Sequence, residues 1–260
     1  MITVHFNILQ NNSIEIEIPS EWACFEKNQI ENYESFTKTL KEQIHDMSKT
    51  SKYANSKHPY KYEDYLENLK PDNFLISIIR MYTEEGFLYK EMNRILRTMA
   101  VNEFQNVNYF YIAMIAAFKS FYEQAFERLR TDQDLLIQPQ YEEFQNYFQN
   151  NELICYRGSA LSDSELNFYE KEGVGQFRRM NEFISTSLSK VQAQYFMNHM
   201  VTSPKRAFYQ FIIPCYPHSQ NCFAYLNNEL SKYNEKEVLL KSGSFVKLEK
   251  IDEINPEDMR

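Results

Sequence analysis

Three short polar marks in the C-terminal half of the chain carry residue types that do chemistry: Tyr156-Arg157-Gly158, Ser185-Thr186-Ser187 and Glu235-Lys236-Glu237. Arg157 closes the apolar run Leu153-Ile154-Cys155-Tyr156. An arginine at a strand end presents a planar fork that suits phosphate oxygens, and a glycine after it lets backbone approach a ligand closely. The same tripeptide also fits an ordinary salt-bridging arginine before a turn. Ser185 follows Phe183 by two positions, so alternation puts both on one face and Thr186 on the other. A hydroxyl placed there orients a carboxylate, or it caps the helix that begins near Ser189. Glu235 and Glu237 precede the apolar run Val238-Leu239-Leu240. In an extended segment they share a face about 7 Å apart, a repulsive arrangement unless a cation or a catalytic task offsets it. The bland alternative is a solvated acidic strand start in a chain with 36 acidic residues.

These marks need strands to position them, and from about residue 152 the periodicity changes to that of strands. The expected strands are 153–157, 183–186, 207–213, 222–226, 237–240 and 245–248. Helices are expected over 189–200 and 162–172, the latter capped by Ser162 or Asp163 with Glu165 in its first turn. Several segments before residue 152 are helical in pattern. Residues 26–49 form a moderately amphipathic stretch, and 72–82 and 88–104 repeat apolar residues on one side. The strongest repeat runs Val107, Phe110, Tyr111, Met114, Ile115, Phe118, Phe121, Tyr122, Ala125, Phe126, Leu129, which predicts a helix with one well-buried side. Residues 50–62 read as a polar loop, and 1–19 as a β-hairpin around Asn11-Asn12. Helices first and strands later predict an α+β layout and not alternating βαβ units. No internal repeat is visible.

Composition narrows the function classes. The chain has 260 residues, 43% hydrophobic and 25% charged, with 19 Tyr and 20 Phe, enough apolar area for a sizeable core. Five Gly, with no GxGxxG or GxxxxGK[ST], mean that a nucleotide would be held without a glycine-rich phosphate loop. A net charge of −8 disfavours nucleic acid and anionic membrane as partners. No stretch is long enough to span a bilayer, and residues 1–10 lack the form of a signal peptide, so a soluble protein is expected, cytoplasmic or secreted as an effector. Cys24, Cys155, Cys215 and Cys222 make neither a disulfide framework nor a zinc motif; Cys215 and Cys222 are a cross-linked hairpin or two ordinary thiols. The five His include no i, i+4 pair, and no metal is expected.

Taken in order, the three marks resemble the arginine–serine–glutamate class of mono-ADP-ribosyltransferases, which includes vertebrate ecto-enzymes and bacterial toxins and effectors. Leu88 to Arg97 looks like that family's N-terminal helix, and Ala193-Gln194-Tyr195-Phe196 like the segment supplying an aromatic that stacks on nicotinamide. The likeness covers roughly residues 70–250. It implies a helical N-terminal part packed on a two-sheet β-core, with residues 61–260 as the transferase domain and 1–60 as an extension of unknown role. It implies NAD as a consumed co-substrate. Arg157 would hold its phosphate, the Gly158 backbone would bond the nicotinamide amide, and Phe196 would stack on the ring. Ser185 would orient Glu237, with Thr186 and Ser187 in support. Glu237 would bond the ribose and stabilise the positive charge that develops as nicotinamide departs. Glu235 would bind an acceptor guanidinium and take its proton, which points to an exposed arginine of a protein as acceptor. The family's aromatic three residues before the first Glu is displaced: Tyr233 stands two before it, to contact acceptor or to pack under the turn. The expected activity is transfer of one ADP-ribose to arginine. The alternatives are an NAD glycohydrolase on the same fold and an inactive NAD-binding or protein-interaction module.

Overall fold

A computed structural model describes residues 2–8, 33–52, 62–84, 86–98, 101–131, 150, 152–171, 173–200, 205–214, 223–226, 230 and 235–253. Its architecture is α+β, with helices and a mixed eight-stranded sheet. The chain forms two compact units, one of residues 1–12, 127–225 and 235–260, the other of residues 13–126 and 226–234.

The second unit is helical. It holds α1 (Tyr33–Thr50), α2 (Tyr62–Glu67), α3 (Phe74–Thr83), α4 (Phe87–Thr98), α5 (Val101–Phe104) and most of α6 (Asn108–Thr131). Helical spacing puts Phe36, Leu40, Ile44 and Met47 of α1 on one buried side. Rings interlock between elements: Phe36 meets Phe74 edge-on at 6.0 Å and Tyr109 at 5.3 Å. The buried Asn93 amide donates to the Tyr82 hydroxyl at 2.8 Å, which satisfies a polar group inside this core. The segment expected as one helix over 88–104 is two, α4 and α5, with residues 99–100 outside the described set. Tyr62 already belongs to a helix, α2, so the polar loop expected over 50–62 ends sooner than the sequence predicted.

The first unit carries the sheet. Its strands are β1 (Ile2–Ile8), β2 (Glu152–Ala160), β3 (Phe177–Met180), β4 (Ile184–Ser187), β5 (Arg206–Pro214), β6 (Phe223–Leu226), β7 (Glu237–Leu240) and β8 (Ser244–Glu253), in spatial order β3-β8-β1-β5-β2-β4-β7-β6. The two-sheet core expected from the family likeness is here one continuous run, joined between β2 and β4 through Tyr156 opposite Ser187. On one side of that join β2 pairs with β5 over nine residues, Glu152 to Ala160. On the other, β4 pairs with β7. The join is therefore where strands of different blocks come side by side.

Two expectations need correction. β1 is not an arm of a hairpin: its edges are taken by β5, parallel, and by β8, antiparallel. The alternation of Val4 and Phe6 is real, and both are fully buried, but alternation specifies a half-buried strand and not its partner. Residues 9–32 lie outside the described set. β3, Phe-Arg-Arg-Met, was not expected at all. It is a sheet edge paired with β8, with Arg179 opposite Phe245, and its two charges hid it from a reading based on apolar alternation.

Helix α7 (Asp163–Lys171) follows β2. Ser162 caps it reciprocally: the Glu165 N–H donates to Ser162 Oγ at 3.2 Å, and the Ser162 N–H donates to Glu165 Oε2 at 3.0 Å. After β4 the chain enters α8 (Lys190–Tyr195), which continues as a π-helical turn over Phe196–Met200.

Candidate active site

The sheet order β2-β4-β7 sets the three polar marks next to one another. Tyr156 of β2 lies opposite Ser187 of β4, and Ser187 lies opposite Glu237, the first residue of β7. Arg157, one residue beyond Tyr156, reaches across with its guanidinium: Nη1 donates to the Ser185 carbonyl at 2.7 Å. The guanidinium of Arg157 therefore ties β2 to β4.

Glu237 is the chemical centre of this group. It is buried, at 6% exposure, and so is no solvated strand start. Burial raises its carboxyl pKa to about 7; a hydrogen bond from Ser185 works in the opposite direction, the negative charge of Glu235 adds to the rise, and the positive charge of Arg157 opposes it. Ser185, Glu235 and Arg157 thus all bear on the one carboxyl of Glu237. A buried carboxylate balanced near neutrality between a hydroxyl, a like charge and a guanidinium is a common property of functional sites.

The segment that carries both glutamates is anchored to β4 by its backbone. Thr186 Oγ1 donates to the Val238 carbonyl at 2.5 Å, and Ser187 Oγ donates to the Glu235 carbonyl at 2.5 Å. The Leu188 N–H donates to the Lys236 carbonyl at 3.0 Å. Ser187 Oγ also accepts the Ser189 N–H at 2.9 Å, while Ser189 Oγ caps α8 by accepting the Gln192 N–H at 3.2 Å. Ser185 bonds the Glu237 carboxyl, and Ser187 ties the glutamate segment to the residue that caps α8.

One geometric expectation fails. Glu235 and Glu237 do not share a face through a continuous extended run. β7 begins at Glu237, and Lys236 before it has φ +50°, in the left-handed region. The charge of Glu235 acts on Glu237 across a backbone that leaves the extended conformation at Lys236. No residue-type signal announced this turn, since Gly and Asn are the usual occupants of that region and Lys is not.

Gly158 answers to a different close approach from the one the sequence suggested. A Cβ there would stand 2.2 Å from the Ala193 carbonyl oxygen, 2.5 Å from Met197 Cβ and 2.7 Å from the Met197 nitrogen. The bare backbone lets α8 and the π turn lie directly on β2, over a core of Ile154, Tyr156, Ala193, Met197 and Phe208. Phe196 is half-buried at the junction of α8 and the π turn, its ring edge-on to Tyr195 at 6.4 Å. Tyr233 lies outside the described residues. In α4, the segment likened to the family's N-terminal helix, Arg94 bonds Glu91 at 2.6 Å and also Glu103. Among the described residues no group of three His, Cys, Asp or Glu could hold a metal ion, and no helix is long and apolar enough to cross a membrane.

No protein-family profile and no curated protein matches this chain. Among solved structures the chain resembles the ADP-ribosyltransferase Vis, at 17% identity and TM-score 0.45 over 86% of this chain and 81% of that one; a structure of Vis from Vibrio splendidus aligns at 20% and 0.42, over 85% and 81%. It also resembles exoenzyme S from Pseudomonas aeruginosa, at 16% identity and TM-score 0.42 over 79% and 78%. A third likeness is to the ADP-ribosyltransferase HopU1 of Pseudomonas syringae, at 16% identity and TM-score 0.40 over 75% and 76%.

Proposed function

We propose that this chain is an NAD-dependent mono-ADP-ribosyltransferase of the bacterial toxin and effector kind, with arginine of a protein as acceptor. The observation that carries the reading is the buried Glu237 carboxyl, bonded by Ser185 and influenced by both Arg157 and Glu235. A dinucleotide suits this donor set: a guanidinium for its phosphates, a hydroxyl-oriented carboxylate for its ribose, and an adjacent second carboxylate for an incoming cation. The reading takes residues 61–260 as the transferase domain and 1–60 as an extension, of which β1 shares the sheet.

In this proposal Arg157 binds phosphate, the Gly158 backbone bonds the nicotinamide amide and Phe196 stacks on the nicotinamide ring. Ser185 keeps Glu237 aimed at the ribose, with Thr186 and Ser187 fixing the strand behind it. Ionised Glu237 offsets the positive charge that develops on the ribose as the glycosidic bond to nicotinamide breaks. A new bond forms to a guanidinium nitrogen held by Glu235, and the guanidinium proton passes to Glu235. A guanidinium is fully protonated near neutral pH and a poor nucleophile until a base relieves it of that proton. Tyr233 would contact the acceptor or pack under the turn. The reaction needs orientation and charge stabilisation, and no metal is assigned a role.

The test is to follow the ADP-ribose of NAD with and without agmatine, a small guanidine. The expected products are nicotinamide and ADP-ribosyl-agmatine. Free ADP-ribose alone, with agmatine and protein acceptors both ignored, would turn the reading to a glycohydrolase. No nicotinamide release, with no NAD binding by calorimetry, would turn it to an interaction module.

A further inference from the structure

Among the described residues, Lys236 is the one non-glycine with a left-handed backbone, at φ +50°. Such a conformation is disfavoured for a side-chain-bearing residue and persists where the surroundings hold it. Here they do. Carbonyls of Glu235 and Lys236, the two residues on either side of the kinked bond, are each gripped from β4 and its continuation: Ser187 Oγ takes the first at 2.5 Å and the Leu188 N–H takes the second at 3.0 Å. Immediately beyond, Thr186 holds the Val238 carbonyl at 2.5 Å. Lys236 is itself buried, at 7% exposure. The kink falls between two carboxylates that interact, one inside a strand and one just outside it.

We infer that Lys236 is a positioning residue whose left-handed backbone sets where Glu235 stands relative to Glu237, and so decides how much ADP-ribose reaches a guanidinium instead of water. An extended residue at 236 would carry Glu235 onto the line of β7. The left-handed residue turns the chain away from that line, and the two grips make the turn a fixed feature. Glu237 is held in β7 by its pairing opposite Ser187, and the kink lies outside that strand. The kink therefore acts on the acceptor carboxylate and spares the group that cleaves the glycosidic bond. This inference rests on the transferase reading above.

Three substitutions that all remove the ammonium separate backbone from side chain: Lys236→Gly, Lys236→Asn and Lys236→Val. Gly adopts positive φ freely and Asn tolerates it, whereas a β-branched residue is an outlier there. The expected result is that nicotinamide release from NAD stays comparable in all three. The ratio of agmatine transfer to NAD hydrolysis should be similar for the Gly and Asn variants, and lower by about tenfold to a hundredfold for the Val variant, the scale of a misplaced catalytic group. Thermal midpoints should fall in the order Gly and Asn above Val, a readout that needs no activity. Equal ratios in the Val and Gly variants would overturn the inference. So would losses in all three alike, which would assign the effect to the ammonium. A wild-type protein inert toward NAD would overturn the transferase reading and the catalytic half of this inference with it. The order of thermal midpoints would still judge the backbone half, and equal midpoints would overturn that.

Discussion

Glu237 is charged only at the expense of its burial, and its carboxyl sits near pH 7 for that reason first. A role that needs the carboxylate then gives an acid limb in the pH dependence of kcat/KM for NAD, with an apparent pKa near 7 in the free enzyme. Removing the neighbouring like charge by Glu235→Gln should move this limb to lower pH. Removing the hydroxyl by Ser185→Ala should move it higher, because the bond from Ser185 is what favours the ionised form. Initial rates of nicotinamide release across pH 5–9 (about two units either side of the limb) check both directions. Stability carries the same sign. The folded-state pKa is raised from 4.5 to about 7, so stability is fully present below the unfolded value and is lost as pH rises through the folded one. Glu237→Gln should therefore stabilise the protein above pH 7, by roughly 3 kcal/mol at most, and the advantage should vanish near pH 4. Urea denaturation of the two proteins at both pH values measures this. At this scale the sequence was informative about which residues meet: Arg157, Ser185 and Glu235 all bear on the Glu237 carboxyl. It was silent about the backbone at Lys236, because a left-handed lysine is imposed by the grip of Ser187 and Leu188 and leaves no mark in residue type.

Elements bring those residues together through register. Ser187 lies opposite Tyr156 on one side and Glu237 on the other, so a slip of one residue in β4 would turn Ser185 away from Glu237. The strands that carry the marks were legible because each ends or begins an apolar run. β3 was not, since Arg178 and Arg179 interrupt any alternation and the strand exists by pairing with β8. The capping box at Ser162 and Glu165 was legible for the converse reason: the contacts are local and the motif is its own explanation. Gly158 shows the limit of local reading. Its smallness serves α8, 35 residues and more away in sequence at Ala193 and Met197. Gly158→Ala should destabilise the protein by about 1–3 kcal/mol, because two of the three atoms it meets are backbone and cannot rotate away. It should also disturb α8, and with it the setting of Phe196. Equilibrium unfolding gives the first effect, and an increase in KM for NAD with urea midpoint held in view gives the second.

For the molecule as a whole, the first strand matters more than its position in the chain suggested. β1 closes the gap between β8 and β5, and Phe6 stacks on Phe211 at 5.5 Å and Tyr209 at 6.1 Å. Val4 and Phe6 are fully buried. Alternation predicted the strand correctly. It could not predict that its partners come from residues 206–214 and 244–253, because long-range pairing is specified by complementary buried faces and not by neighbouring turns. Phe6→Ala should cost about 3–5 kcal/mol of stability, measured by denaturant unfolding, although Phe6 is remote in sequence from all three polar marks. The central claim is that Glu237 performs NAD cleavage and Glu235 directs its product. The most direct measurement is nicotinamide release and agmatine labelling by the wild-type protein, Glu237→Ala and Glu235→Ala, side by side. The account predicts that Glu237→Ala loses both activities and that Glu235→Ala loses labelling while keeping part of the release. Full turnover by Glu237→Ala, in a protein that releases nicotinamide when unaltered, would contradict it.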